Sequence, residues 1–278
     1  MAKLAPPPPG PPWDQPIDEA PFAFVDLEMT GLDAEKDRVV EVCVERVVGG
    51  KVVDRVATLV NPGERAGGAS QIHGLDAAAL QGAPSFEEVA TDVLRTLDGA
   101  VLVAHAAEWD VRFLLAELAR AGKSVPIEHW LDTLNLSRRA FAFPSHALVP
   151  LCESLGIPRE RAHRAADDVH AMRAVFERCL TVLAPTSVRD LWEVRVAQKV
   201  ARAHIVEACV AALEHELPVL LTYRPSRRGP EPLEMVITEV RMDVDPPRVI
   251  GYLLPGRGRR ELRADRILRV DPAGAPGA

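Results

Sequence analysis

The sequence predicts an α/β protein in two parts, a mixed β-sheet flanked by helices over residues 21–184 and a small helix-plus-β unit over residues 187–272. Three observations carry this reading. Residues 22–27, 39–48 and 51–60 are runs rich in β-branched side chains, divided by Gly31, by Gly49-Gly50 and by Asn61-Pro62. From residue 85, stretches with helical spacing alternate with the apolar run of residues 100–104. At Ala184-Pro185-Thr186-Ser187 the pattern breaks, and a helical stretch followed by short strand-like runs begins.

Taken in order, residues 1–20 hold nearly continuous proline from Pro6 to Pro12 and little that packs, which predicts an extended, disordered segment. A polyproline ligand for another protein is its functional alternative. The loop Val48-Gly49-Gly50-Lys51 makes the second and third strands a hairpin, hence antiparallel. Helices are predicted over residues 85–98, 109–121, 145–155 and 165–183, with a buried strand at 100–104. Strands first and α/β afterwards describe a mixed sheet. Ser187 is placed to cap a helical stretch over residues 188–216, and residues 219–223, 233–242 and 249–254 are strand-like. Residues 273–278 contain Pro, Gly and Ala and read as a flexible tail.

A chain of 278 residues exceeds the common domain size of about 100–200 residues, which favours one large domain and one small. With 47% hydrophobic and 26% charged residues, the composition is that of a soluble protein with a sizeable core. No uninterrupted apolar stretch reaches the ~18 residues of a membrane span, and no basic-then-apolar leader opens the chain, so a cytoplasmic protein without membrane partners is expected. Cys43, Cys152, Cys179 and Cys209 form no Cys-x-x-Cys pair and read as small core residues rather than a zinc site or disulfide framework. The net charge of −7 argues against nucleic-acid binding by a broad basic surface. It is compatible with carboxylates that meet a phosphate through bound cations. From residue 188 onward 15 Lys and Arg face 13 Asp and Glu, so the acidic excess lies in the first two-thirds.

Asp26 and Glu28 stand two apart at the end of an apolar strand, so both side chains leave the same face of the sheet. Such a pair is either a solvated strand end or a ligand set for a hard cation. Asp110 follows the strand at 100–104 and opens a helix whose apolar face carries Val111, Leu114, Leu115 and Leu118. Periodicity alone does not separate it from Glu108, and an acid in a first helical turn is also a natural partner of the helix dipole. A third place is His163-Arg164-Ala165-Ala166-Asp167-Asp168, which leads into a helix with the buried stripe Val169, Met172, Phe176, Cys179 and Leu183. At about 100° per residue, Asp168 falls roughly 60° from the centre of that stripe and Asp167 roughly 160° away. Asp168 therefore faces the sheet and Asp167 faces water.

Phe24-Val25-Asp26-Leu27-Glu28-Met29-Thr30-Gly31-Leu32, Val103-Ala104-His105-Ala106-Ala107-Glu108-Trp109-Asp110-Val111-Arg112-Phe113-Leu114 and His163-Arg164-Ala165-Ala166-Asp167-Asp168 resemble, in order and spacing, the three motifs of the DEDDh exonucleases. That group contains DNA polymerase proofreading subunits and oligoribonucleases, and the resemblance covers roughly residues 21–183. Ile72-His73-Gly74-Leu75 also resembles a loop of proofreading-type members. The resemblance implies an RNase H-like fold and 3′-to-5′ phosphodiester hydrolysis with two divalent cations, Mg²⁺ or Mn²⁺. It implies that Asp26 bridges both metals, that Glu28 and Asp168 bind the metal holding the attacking water, that Asp110 serves the second, and that His163 is the general base. Met29, Thr30 and His105 would meet the terminal nucleotide. Many relatives carry asparagine where this chain has Ala106, which bears on rate and substrate preference more than on metal binding.

Residues 204–270 resemble a WYL domain, a small Sm/SH3-like barrel, through Leu217-Pro218-Val219-Leu220-Leu221-Thr222-Tyr223, Gly251-Tyr252 and Arg260-Glu261-Leu262-Arg263-Ala264-Asp265-Arg266-Ile267; the naming triplet is replaced by Pro247-Arg248-Val249. That resemblance implies that Tyr223, Arg224, Arg260, Arg263 and Arg266 contact a nucleotide or single strand. A solvated basic strand edge is the alternative. The expected function is a 3′-to-5′ exonuclease acting on 3′ ends of single-stranded DNA, with a polymerase or repair partner. An exoribonuclease, or a non-catalytic regulator that senses a ligand or binds 3′ ends, is the competing reading.

Overall fold

The chain is described by a computed structural model over residues 5–65, 74–141, 143–159, 164–196, 203–225, 230–244, 246–256 and 258–273. The first sheet is mixed. β1 (Phe22–Met29), β2 (Val39–Val48) and β3 (Lys51–Leu59) run antiparallel to their neighbours; β4 (Val101–Ala104) then joins β1 in parallel and β5 (Leu131–Asp132) joins β4 in parallel, in the order β3-β2-β1-β4-β5. Around this sheet come α1 (Ala77–Leu80), α2 (Phe86–Leu97), α3 (Glu108–Arg120), α4 (Thr133–Ala140), α5 (Leu148–Leu155) and α6 (Ala165–Leu183).

Consecutive residues of β1 and β2 are buried, which requires cover on both faces, and α2 and α6 both pack against β2. β3 is the exposed edge, and Lys51, Asp54 and Arg55 along it discourage further strand pairing. α2 begins where its sequence says it should. Ser85 Oγ accepts the Glu88 N–H while the Glu88 carboxylate accepts the Ser85 N–H at 2.7 Å, a reciprocal cap. All four cysteines are buried and free, as small core residues.

The second sheet is antiparallel. After α7 (Val188–Val196) and α8 (Ala203–Glu214) come β6 (Pro218–Tyr223), β7 (Glu231–Arg241), β8 (Arg248–Leu253), β9 (Arg259–Arg263) and β10 (Ile267–Pro272), in the order β10-β6-β7-β8-β9. α8 supplies Ile205, Val206 and Cys209 to a core shared with Val219, Leu221, Met235, Ile237 and Val249. The neighbouring residues Ile267 and Leu268 part company: Ile267 joins this core and Leu268 joins the core of the first sheet. β10 therefore starts at the seam between the two sheets.

The structure departs from the sequence reading in three places. The segment expected to be disordered is packed over residues 5–20: Trp13 is 6% exposed, meets Trp192 edge-on at 5.6 Å and His129 at 6.0 Å, and its carbonyl accepts the Arg189 N–H at 2.7 Å. Arg189 also donates to the Pro7 and Pro8 carbonyls at 2.9 and 2.8 Å and pairs with Asp14. Proline cannot join a strand ladder, but its carbonyls still accept, and a distant arginine supplies the donors. Second, the helical stretch expected over residues 188–216 is described as two helices, α7 and α8, and residues 197–202 between them lie outside the described residues. Third, α1, β5 and α4 were not foreseen, because four helical residues, two strand residues and eight helical ones are too few to show a period; the Asp132 carboxylate starts α4 by accepting the Leu134 N–H at 2.9 Å. Residues 274–278 of the expected tail also lie outside the described residues. Among the described residues no helix is long and apolar enough to cross a membrane.

Candidate metal centre

β1 carries the centre of the site. Its parallel pairing with β4 ends at Phe24↔Val103, because β4 stops at Ala104. On that side the backbone of β1 beyond Phe24 lacks a strand partner, and Asp110 in the first turn of α3 fills the gap: its Oδ1 accepts the Leu27 N–H at 3.1 Å. On the other side the pairing with β2 holds to Glu28↔Glu41 and then shifts register before Met29, a bulge that turns the strand end just past the two acids.

Asp26, Glu28 and Asp168 converge. Each offers a carboxylate oxygen, and these oxygens lie within 4.8 Å of one another. Asp26 is half-buried, Glu28 is 9% exposed and Asp168 is 7% exposed, so water screens this group poorly. Burial, and then the charges of Asp110, Asp168, Glu28 and Glu41, push the Asp26 carboxyl well above its ordinary range. Burial, with Asp168 and Glu41, pushes Glu28 up to about 7, while Arg164 opposes the rise. Asp110 is pushed up to about 8 by burial, against the stabilising Leu27 N–H. A hard divalent cation suits this donor set, since oxygen ligands are what it prefers and its charge removes the repulsion. Asp110 lies beside Asp26 but outside the group of converging oxygens.

The other expected residues are placed as follows. His163 and the Ile72-His73 part of the loop before Gly74 lie outside the described residues. Thr30 is 6% exposed, and its hydroxyl is engaged within the protein: it donates to Asp37 Oδ1 at 3.1 Å and accepts the Arg38 N–H at 3.0 Å. That closes the loop after β1, where a Cβ on Gly31 would sit 2.4 Å from Asp37 Oδ2. Met29 packs, half-buried, against the main core. His105, expected at the terminal nucleotide, is held on both ring nitrogens, by Thr133 Oγ1 at 2.9 Å and by the His146 carbonyl at 3.0 Å. Burial lowers its pKa to about 4, so the ring is neutral near pH 7; Nε2–H then donates to the His146 carbonyl, and Nδ1 shares the Thr133 hydroxyl with the Ala104 carbonyl, to which that hydroxyl also donates at 3.2 Å.

Three residues that sequence reasoning passed over also shape the site. Glu41 accepts from the Arg164 guanidinium at 3.0–3.3 Å and from the Ala165 N–H at 3.2 Å, which fastens the start of α6, and so Asp168, to β2. Arg159 pairs with Asp168, and its Nε and Nη1 are buried without a partner among the described residues. Trp109, beside Asp110, is 40% exposed with the Arg112 guanidinium 5.7 Å above its ring. The pairing of Glu41 with Glu28 across the β1–β2 ladder had a sequence signal in the strand alternation; Arg159 had none.

In the second sheet the five residues expected to bind strand or nucleotide do not form one patch. Tyr223 pairs with Ile267, and the Arg224 N–H donates to the Arg266 carbonyl at 2.9 Å, which groups Tyr223, Arg224 and Arg266. Arg260 lies on β9 at the opposite edge of the sheet, and Arg263 is bidentate to Asp265 at 3.0 and 2.8 Å. A cleft of about 800 Å³ lined by Pro8, Trp13 and His129 contains none of the acids, so the chemistry of the carboxylates and not the depth of a cavity marks the site.

Comparison with known proteins agrees with this geometry. Residues 23–176, from β1 into α6, match the Exonuclease family (RNase_T). The chain is 32% identical over 181 residues to "DNA polymerase III PolC-type" of Thermotoga maritima, which covers 65% of this chain and 13% of that protein. It is 27% identical over 256 residues to "3'-5' exonuclease DinG" of Bacillus subtilis, covering 86% of this chain and 28% of that protein. The chain thus spans a minor part of these relatives. Among solved structures, E. coli exonuclease I in complex with a dA16 oligonucleotide superposes with a TM-score of 0.55 at 14% identity, over 92% of this chain and 65% of that one, a likeness of fold. With three converging acids on the matched segment and a match over more than half its length, the chain belongs to the Exonuclease family.

Proposed function

We propose that this protein is a two-metal-ion exonuclease that removes nucleotides from the 3′ end of single-stranded DNA. The convergence of Asp26, Glu28 and Asp168, with Asp110 buried beside Asp26, carries the proposal. Bound Mg²⁺ or Mn²⁺ would supply the positive charge that a phosphodiester needs at an acidic site and would acidify the attacking water. Asp26, central among the acids, would be the shared ligand. Glu28 and Asp168 would hold one cation, and Asp110, with Oδ1 held by Leu27, would serve the other. His163 is proposed as the base that takes the proton of the water, a role suited to an imidazole near neutral pH. Met29 is proposed to pack on the terminal base. The similarity to PolC-type DNA polymerase III supports DNA over RNA and a polymerase or repair partner. For the C-terminal unit we propose a WYL-like accessory fold that binds strand or nucleotide.

Digestion of 5′-labelled single- and double-stranded DNA and RNA, with Mg²⁺, Mn²⁺ or chelator, tests the reading. Ladders of shortened products are expected, fastest on single-stranded DNA, and absent with chelator and in Asp26→Ala. Activity that survives Asp26→Ala, or none on any polymer, overturns it. Faster RNA ladders would reassign the substrate and leave the chemistry standing.

A further inference from the structure

Arginines lie near the acids and near the second sheet. Arg159 meets Asp168, and its charge and that of Arg138 both reach His105. His105 is bound to Thr133, the first residue of α4. α4 then runs from the edge of the site toward the seam, and Arg139 lies six residues on, about 9 Å along the axis. At the seam Arg139 comes close enough to Arg224 to act on its charge, as does Arg266, whose carbonyl holds the Arg224 N–H. The position is set by packing, since Leu268, two residues past Arg266, belongs to the core of the first sheet.

We propose that Arg139, Arg224 and Arg266 form a composite phosphate site that grips the backbone of the nucleic acid strand whose 3′ end lies at Asp26, Glu28 and Asp168. The inference rests on the exonuclease reading and adds where the rest of the strand goes. Its main support is a contrast in pairing. Elsewhere on the second sheet Arg241 and Arg248 pair with Glu261, Arg263 with Asp265 and Arg269 with Asp271, while Arg259 and Arg260, for which no ion pair is found among the described residues, are exposed to water. Among the described residues no carboxylate lies within bridging distance of Arg139 or Arg224, although both are half-buried, and the nearby Asp265 is engaged by Arg263. Burial lowers the pKa of both guanidiniums, and at Arg224 the charges of Arg139 and Arg266 lower it further. Holding like charges together out of water is unfavourable unless an anion joins them, and the planar fork of arginine matches the oxygens of a phosphodiester.

The test uses the full chain with Arg139→Gln, Arg224→Gln and the double variant. Cleavage of the p-nitrophenyl ester of thymidine 5′-monophosphate reports on the acids alone, and a dinucleotide and a long oligodeoxynucleotide report on how the strand is held. In the double variant the kcat/KM of the long strand relative to that of the ester should fall about tenfold, and the dinucleotide should follow the ester. The salt slope for the long strand should drop by about 1.4, since each phosphate that an arginine no longer neutralises removes about 0.7. Unchanged ratios and slope overturn the proposal, as does an equal loss on all three substrates, which would mark a structural role. Failure of the unaltered chain to cleave any of them would instead defeat the exonuclease reading. Binding of the labelled long strand in chelator then still decides the seam: it should weaken about tenfold in the double variant, and equal binding overturns the proposal. A rise in melting temperature with inorganic phosphate or a mononucleotide, lost in the double variant without any effect on the strand, would also overturn it in favour of a small-anion site.

Discussion

Asp110 Oδ1 accepts the Leu27 N–H at 3.1 Å, so an acid delivered by α3 completes the hydrogen bonding of the strand that carries Asp26 and Glu28. The bond exists because β4 ends too soon to satisfy that part of β1. One residue thus has two tasks, and substitution separates them. Asp110→Asn keeps an acceptor for Leu27, whereas Asp110→Ala strands a buried N–H, so in chelator the alanine variant should be less stable than the asparagine variant by about 1–3 kcal/mol in urea unfolding. Both should lose metal-dependent cleavage. Equal stability of the two would contradict the structural task.

Cation binding should release protons. Glu28 is raised to about 7 and Asp110 to about 8, chiefly by burial, so near pH 7 the metal-free chain holds protons that the unfolded chain would have lost. Because these pKa values are raised, their contribution to metal-free stability falls as pH climbs from the ordinary carboxylate range through about 7 to 8. A bound cation expels the protons, so Mn²⁺ affinity should grow from about pH 6 to about pH 8. Calorimetric heats that do not depend on the ionisation heat of the buffer would rule this out.

His105 titrates in the opposite sense. Its folded pKa is lowered to about 4 by burial, below the ordinary value of 6.5, so the unfolded chain takes up a proton first as the pH falls. Its contribution is fully present above about pH 6.5 and is lost toward about pH 4, at up to ~1.4 kcal/mol per pH unit. The stability advantage of wild type over His105→Gln, followed by chemical unfolding, should shrink across that window. A constant difference would show that the ring is not the titrating group.

Ala106 has φ of 60°, a left-handed conformation that an alanine side chain disfavours, and its N–H is held by Asp132 Oδ1 at 3.1 Å. Relatives of the DEDDh type often carry asparagine at this place, and asparagine tolerates this conformation well. Ala106→Asn is therefore expected to stabilise the fold by about 1 kcal/mol, read as a higher urea midpoint with unchanged slope. A lower midpoint would show that the extra side-chain atoms clash.

Trp13 anchors the proline-rich N-terminal segment between Trp192 and His129. Trp13→Ala should cost about 3–5 kcal/mol, as for other buried aromatic truncations. Loss of less than ~1 kcal/mol would mean that the segment adds little to the fold.

Periodicity made much of the site legible. Strand alternation put Asp26 and Glu28 on one face, and helical phase chose Asp168, which is 7% exposed, over the more exposed Asp167. It did not choose between Glu108 and Asp110, which the structure separates sharply: Glu108 is exposed and Asp110 is 6% exposed. The end of β4 makes that choice, and no local pattern announces where a neighbouring strand will stop. Thr30 and His105 were recognised by position, but their hydrogen-bonding atoms turn to Asp37, Thr133 and His146, partners up to 41 residues away.

By itself the sequence determined the first three strands, the hairpin at Gly49-Gly50, the buried strand β4 and the faces that carry Asp26, Glu28 and Asp168. Each of these depends on the spacing of neighbours along the chain, which local geometry turns directly into a face or a turn. Only the tertiary structure decided that Arg164 clasps Glu41, that Arg189 pins the prolines, and that Arg139 comes near enough to Arg224 for its charge to act there. Those depend on which distant segments the packing of two cores brings together, and a residue's spacing from its neighbours carries no record of its distance from a remote partner.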